Sequence, residues 1–268
     1  MEIGDDVMKK STKAKVRRGI LYGTLVLIFA VVVIAADWPT IQKAFFDPDI
    51  AAEMFPEVIT VAAKNTIIYT ALAFTFGLIL ALILALMKRS DIKPYKWIAT
   101  TYIELFRGLP ALVTIILVGF GLPIAMGVRI PGGTLGKGTV GLGIVVAAYM
   151  AETIRAGIEA VPRGQMEAAR SLGMTKGAAT RSIVLPQAFR IIIPPLTNEL
   201  VILIKDTSLL FVLGTTIATK ELTKFGRDFM NDTFNGTPLI VIALMYLIIT
   251  LPMTRFVAQL EKRAARAR

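Results

Sequence analysis

The sequence predicts an all-α integral membrane protein with six transmembrane helices, and three observations carry that prediction. The first is composition: 55% of the 268 residues are hydrophobic and only 18% are charged, against about 45–50% and about 25% in soluble domains. The second is that the apolar residues fall in uncharged blocks, at 19–36, 65–87, 108–128 and 233–254. A run of roughly 18 or more apolar residues crosses the ~30 Å hydrocarbon layer as helix. The third is the distribution of Lys and Arg, which separates cleanly by loop. A soluble enzyme and a one-span receptor are both excluded.

The spans follow in order. Lys9–Arg18, then the apolar run 19–36, then Asp37, has the outline of a signal peptide. Its 18 residues exceed the roughly 7–15 of a cleaved apolar region, so it is expected to be retained as span one. Span two is expected at 65–87, opened by Asn65 and Thr66 and closed by Lys88 and Arg89. Span three is expected at 104–126, ahead of the turn Pro131-Gly132-Gly133. Span four, 139–158, contains Glu152 and Arg155; span five, 191–214, contains Glu199, Lys205 and Asp206; span six is 237–256. The parts in order are a basic N-terminus (1–18), the first span (19–36), an extracytoplasmic segment (37–63), a core (64–257) and a basic tail (258–268).

With six spans, 22 Lys and Arg residues fall on the side of the termini, seven on the other, and Lys205 within a span. The excess marks the cytoplasmic side, so both termini are expected in the cytoplasm. The net charge of +11 then needs no nucleic acid to explain it. No Cys or His is present, which removes thiolate and imidazole chemistry from any site.

One connection is long. Residues 159–190 join spans four and five, and 165–172 is rich in helix formers with Gly173 at a helix-stop position. Ala168 and Ala169 give that helix a smooth face for close approach by a partner. Its apolar surface is too small for a core of its own, so its expected role is a protein contact on the cytoplasmic face.

Glu167-Ala168-Ala169, then Gly173, then Ile183-x-Leu185-Pro186 resembles the EAA motif of ABC-importer permeases at all its fixed positions. Tyr102–Pro110 (YIELFRGLP), Ala148–Pro162 (AYMAETIRAGIEAVP) and Asn198–Leu209 (NELVILIKDTSL) are similar to the polar-amino-acid branch of that family. The resemblance covers roughly 60–257, so the first span looks like an addition to a five-span core. Leu109 stands where that branch commonly has Thr, which removes a hydroxyl.

The resemblance implies a membrane-spanning subunit of an ATP-driven importer, in the bacterial cytoplasmic membrane, that is not itself an enzyme. It implies a cytoplasmic ABC ATPase dimer, a second permease subunit (the same or a homologous chain) and an extracytoplasmic substrate-binding protein as partners. MgATP would sit on the ATPase and no cofactor on this chain. In keeping with that, no G-x-x-x-x-G-K-[ST] phosphate loop occurs; Gly132–Gly138 (GGTLGKG) has the wrong spacing and lacks the hydroxyl after Lys137. The EAA helix would sit in a groove of the ATPase, with Glu167 making a charge contact, Ala168 and Ala169 giving close fit and Gly173 setting the bend. Glutamate or glutamine is the first expectation for the substrate, with basic amino acids next.

Charges at membrane depth cost about 2.5–3.5 kcal/mol each, so each needs a reason. Glu152 has two: an internal pair with Arg155 one turn on, or a cavity-facing contact with a substrate ammonium. Lys205 and Asp206 diverge by about 100° on a helix, so each needs another partner, and both are expected near the cavity. Asn198 and Glu199 are expected to bond the cytoplasmic segment. Arg107, ahead of Gly108-Leu109-Pro110, marks a helix break, since Pro110 removes a donor; packing, gating and substrate contact are all open to it. The competing readings are a self-sufficient ion-coupled secondary transporter or channel using Glu152, Lys205 or Asp206, and a membrane-embedded enzyme. The first leaves the EAA motif unexplained, and the second lacks clustered catalytic groups.

Overall fold

The structure is a computed structural model describing the backbone of residues 2–266 and the side chains of residues 15–263. Expectations about the side chains of the first fourteen residues and the end of the basic tail lie outside the described residues. All described regular structure is helical. The chain divides into two units, residues 1–47 and 48–268.

The first unit holds α1 (Glu2–Ala35) and α2 (Trp38–Phe45). Within α1, Lys15–Ala35 is long and apolar enough to cross a membrane. Its backbone hydrogen bonding ends at Ala36, and Asp37 caps α2 by accepting from the Thr40 N–H at 3.2 Å.

The second unit opens with α3 (Pro48–Glu53) and a π-helical turn, Val58–Ala63, that runs into α4 (Lys64–Lys88). The apolar helix therefore runs from Val58 to Lys88, a turn or more longer than the expected 65–87. Asn65 and Thr66 do not open it. Their polar groups are satisfied from outside: Asn65 Nδ2 donates to the carbonyls of Ala218 and Lys220, and Thr66 Oγ1 accepts from the Leu222 N–H at 3.1 Å.

The centre of this unit is α4 against α8 (Gly133–Glu159). In lipid, helices gain little from hiding apolar surface, so association relies on close packing of small residues. Ala73 and Ala81 of α4 and Ala147 and Ala151 of α8 are fully buried. A Cβ on Gly77 would lie 2.5 Å from Val146 Cγ1 and 3.1 Å from the Gly143 carbonyl oxygen, so only glycine admits this approach. Tyr69 meets Gly138, Gly77 meets Val146 and Lys88 meets Glu152. The two helices therefore run parallel, and an odd number of crossings separates them.

That return is where the expected third span is corrected. Residues 104–126 are not one helix: α5 (Lys93–Gly108) stops, and the chain turns by 110° into α6 (Ala111–Ile116), a π turn and α7 (Leu122–Met126). Leu109 and Pro110 take extended ψ angles of 142° and 132°. Pro110 disfavours helix in the residue before it and lacks an N–H. The start of the expected span thus belongs to α5, which Tyr102 clips to α8 by donating to the Ile144 carbonyl at 2.9 Å.

After α8 come α9 (Arg163–Ser171), α10 (Lys176–Ala179), a π turn (Thr180–Val184) and α11 (Leu185–Asp206). The helix leading into expected span five thus begins within the connecting segment. A 3₁₀ stretch (Thr207–Leu213) continues α11. A short 3₁₀ turn (Ile217–Thr219), α12 (Leu222–Thr233) and α13 (Thr237–Arg266) complete the chain. Among the described residues, four helices are long and apolar enough to span a membrane, at Lys15–Ala35, Val58–Lys88, Gly133–Glu159 and Thr237–Arg263. The bent pair α5 with α6–α7 makes a fifth when taken as one. α11, which carries Arg190, Glu199, Lys205 and Asp206, is not one of these helices.

Candidate functional site

Two features of the second unit stand out: a cavity between helices, and the segment 159–190.

The cavity has a volume of about 250 Å³ and lies between α6, α8 and α11. This is below the ~300–1,000 Å³ of pockets for drug-sized ligands and suits a small metabolite. Ala111, Leu142, Val145, Val146, Ile202 and Leu203 make its apolar wall, and Tyr149, Glu199 and Asp206 supply polar groups. Glu199 and Asp206 are seven residues apart, two turns of helix, so they share one face. Both are half-buried, and neither makes a salt bridge among the described residues. Lys205, one residue from Asp206, points about 100° away and is exposed. Arg107 stands over the Tyr149 ring, 5.7 Å from its centroid, and within electrostatic reach of Glu199. The helix break after Arg107 puts Ala111 at the cavity wall and Arg107 at its edge.

Glu152 sits elsewhere. Its carboxylate accepts from Lys88 Nζ at 2.9 Å and from the Arg155 guanidinium, which also pairs with Glu159. Lys88, Glu152 and Arg155 are each about a quarter exposed at the side chain. Glu152 does not line the cavity. Of the four residues expected on a substrate path, the structure thus puts Asp206 in the cavity wall and Arg107 at the edge. It gives Glu152 two cationic partners and leaves Lys205 on an outer surface.

Sequence reading missed two cavity residues. Glu199 was expected to bond the 159–190 segment but faces the cavity, and its spacing of seven from Asp206 is a signal that was there to read. Tyr149 carried no such signal. Nor did Lys88, which closes α4 and finds Glu152 only through the parallel pairing of α4 with α8.

In the 159–190 segment the EAA residues divide into an inward and an outward set. α9 ends in a reciprocal pair of bonds: the Met174 N–H reaches the Ala169 carbonyl at 3.1 Å, and the Gly173 N–H reaches that of Arg170 at 3.0 Å. Gly173 sits at φ +85°, the left-handed conformation this cap requires. Ala169 is buried, with Ile183 and Leu185 half-buried, on the packed side of the segment. Gln187 Nε2 ties this side to α9 by donating to Gln165 Oε1 at 3.3 Å. Glu167, Ala168 and Pro186 are exposed, and Leu172 is 85% exposed.

At the opposite end of the α4–α8 pair, Glu221 caps α12. It is fully buried and accepts from the backbone N–H groups of Thr223 (2.6 Å) and Lys224 (2.7 Å) and from the Tyr246 hydroxyl (3.2 Å). Burial pushes its carboxyl up to about 7, against the lowering effect of those bonds. Lys220 and Lys224 both pair with Asp228.

Comparison with known proteins brings these features together. Residues 73–266 match the family described as binding-protein-dependent transport system inner membrane component. The chain is 39% identical over 207 residues to the probable glutamine ABC transporter permease protein GlnM of Bacillus subtilis, covering 74% of this chain and 89% of that one. It is 37% identical over 188 residues to the arginine transport system permease protein ArtQ of the same organism, covering 70% and 83%. Among solved structures, a crystal structure of an amino acid ABC transporter with histidines aligns at a TM-score of 0.71 and 38% identity. That alignment covers 79% of this chain and 96% of the other. The chain belongs to the binding-protein-dependent inner membrane components, among the amino acid ABC transporter permeases.

Proposed function

We propose that this chain forms the translocation path of an ATP-driven importer for a polar amino acid, with the α6–α8–α11 cavity as its substrate site. The observation that carries the reading is the pair Glu199 and Asp206, two carboxylates on one face of α11 that make no salt bridge among the described residues. A substrate α-ammonium would supply the missing charge, and Arg107 at the edge would take the α-carboxylate. A side-chain carboxylate would be repelled by the same pair. Glutamine or a basic amino acid is therefore favoured over glutamate. The probable glutamine and arginine permeases among the relatives agree with that range.

The crossings complete the picture. α11 with its 3₁₀ extension would cross the membrane despite its charges, because these face the cavity or a second permease subunit. With α1, this gives six spans. The Lys and Arg distribution supports a cytoplasmic position for both termini and the 159–190 segment. α9 would then be the coupling helix, offering Glu167, Ala168 and Leu172 to a dimeric ABC ATPase while Ala169, Ile183 and Leu185 hold it to the permease. ATP binding would close the ATPase and turn the cavity from an extracytoplasmic binding protein toward the cytoplasm. MgATP would act on the ATPase alone.

The test is a pull-down of the tagged chain from its native cells in mild detergent, with ATP hydrolysis assayed on what is recovered. An ATPase should come with it and be lost when Glu167 and Ala168 are replaced by Lys and Arg. Gly173→Val should still insert but transport poorly, since a β-branched residue is strained at φ > 0. Recovery of the chain alone, with nucleotide-free transport in vesicles, would replace this reading by an ion-coupled transporter.

A further inference from the structure

We infer that α2 is an interfacial anchor, lying in the headgroup region of the bilayer where the first span leaves it. The family match begins at residue 73, so this element lies outside the permease core.

Three observations lead there. α1 is apolar over Lys15–Ala35 and long enough there to cross a membrane. A helix of that length and apolarity crosses the hydrocarbon layer, so its end marks where the chain leaves it. The helix breaks at once, at Asp37 (φ −79°, ψ 82°), and a new one starts at Trp38. The Trp38 indole N–H turns back to donate to the Val33 carbonyl at 2.7 Å. That bond satisfies one of the carbonyls the end of α1 leaves free and ties α2 to the span end.

The faces of α2 complete the argument. Trp38, Ile41 and Phe45 follow a spacing of three and four and fall on one side of the helix, while Thr40 and Lys43 fall on the other. Trp38 is 53% and Phe45 43% exposed, and Phe46, just beyond, is 56% exposed. A short helix with an aromatic face, directly after a membrane span, fits the zone where Trp side chains concentrate. There an indole keeps its N–H bonded and its ring in the acyl boundary. The bilayer is the occupant favoured over a protein partner because the face continues directly from the end of an apolar helix long enough to cross it. The anchor would fix the depth of the first span.

The test uses the chain's two Trp residues. Trp97→Phe leaves Trp38 as the only indole; Trp97→Tyr, with selective indole excitation, serves if that variant accumulates poorly. The full chain is reconstituted in phosphatidylcholine–phosphatidylglycerol vesicles containing lipids brominated either near the headgroup or near the chain ends. The expected result is quenching about twofold stronger by the shallow bromines than by the deep ones, with little quenching by aqueous acrylamide. Strong acrylamide quenching, stronger quenching by the deep bromines, or protection from both lipid and acrylamide (a protein contact) would each overturn the assignment. Because the chain lacks Cys, Val26→Cys reports the span separately through protection from a membrane-impermeant maleimide. Protection there with acrylamide quenching at Trp38 would overturn the anchor while leaving the span in place.

Discussion

Glu152 on α8 and the pair Glu199 and Asp206 on α11 are carboxylates in the same helix bundle, yet their surroundings are opposite. Glu152 is held between Lys88 and Arg155, so its charge is cancelled within the protein. Glu199 and Asp206 face a cavity with no salt bridge among the described residues. A charge at membrane depth is costly unless paired. The paired one therefore reads as architecture, fastening α4 to α8, and the unpaired ones as a place kept for a ligand's positive charge. Sequence position does not separate the two cases; the charges around each group do.

The comparison breaks most readily at the cavity. Glu199→Gln with Asp206→Asn should lower ATP-driven uptake about a hundredfold, equivalent to roughly 2.7 kcal/mol. Thermal stability in detergent should hold or rise slightly, because two unpaired charges have been removed. A stability loss matching the activity loss would make the pair structural after all.

Glu152→Ala should do the reverse. It strands Lys88 partly buried and leaves Arg155 with Glu159 alone, and after allowance for their quarter exposure the cost should be about 2 kcal/mol of stability. Lys88→Met together with Glu152→Met should recover most of it, as removing both partners of a pair costs little. A double-mutant cycle by thermal melting measures this coupling directly. Unchanged uptake per folded molecule would sharpen the contrast with the cavity pair.

Much of this architecture was legible in the sequence. Three of the apolar blocks, 19–36, 65–87 and 233–254, marked helices long and apolar enough to cross, because a helix facing lipid must be apolar along its whole length; the block 108–128 fell instead on the bent α6–α7 pair. Gly173 announced the end of α9, because a left-handed cap favours glycine. The break at Gly108-Leu109-Pro110 was visible as a weak point, but its 110° turn was not, since the angle is set by how α5 packs on α8. Asn65 and Thr66 looked like a helix start and are instead bonded to residues more than 150 positions away. The same distance hid the partner of Glu152. Local patterns report helices and caps, whereas which charge meets which depends on pairing across the bundle.

Glu221 offers a smaller test, at a fourth carboxylate that is buried and hydrogen-bonded and makes no ion pair among the described residues. Its pKa is raised from 4.5 to about 7 in the folded protein. The folded state therefore binds more protons than the unfolded state between those values, so stability falls as pH rises through this window. The effect on unfolding free energy should reach about 3 kcal/mol across the window. Melting curves from pH 4.5 to 8 should show the decline, and Glu221→Gln should flatten it. A slope unchanged in the variant would assign the pH dependence to another group.

The central claim is that an amino acid passes between Glu199 and Asp206. It is tested most directly by reconstituting the permease with its ATPase and binding protein in proteoliposomes and measuring substrate uptake with ATP inside. The account predicts that the Glu199→Gln and Asp206→Asn double variant assembles and hydrolyses ATP but imports little. It predicts that the Lys88→Met and Glu152→Met double variant imports at close to the normal rate. Normal import by the first, or loss of import by the second with assembly intact, would contradict it and move the substrate path to Glu152.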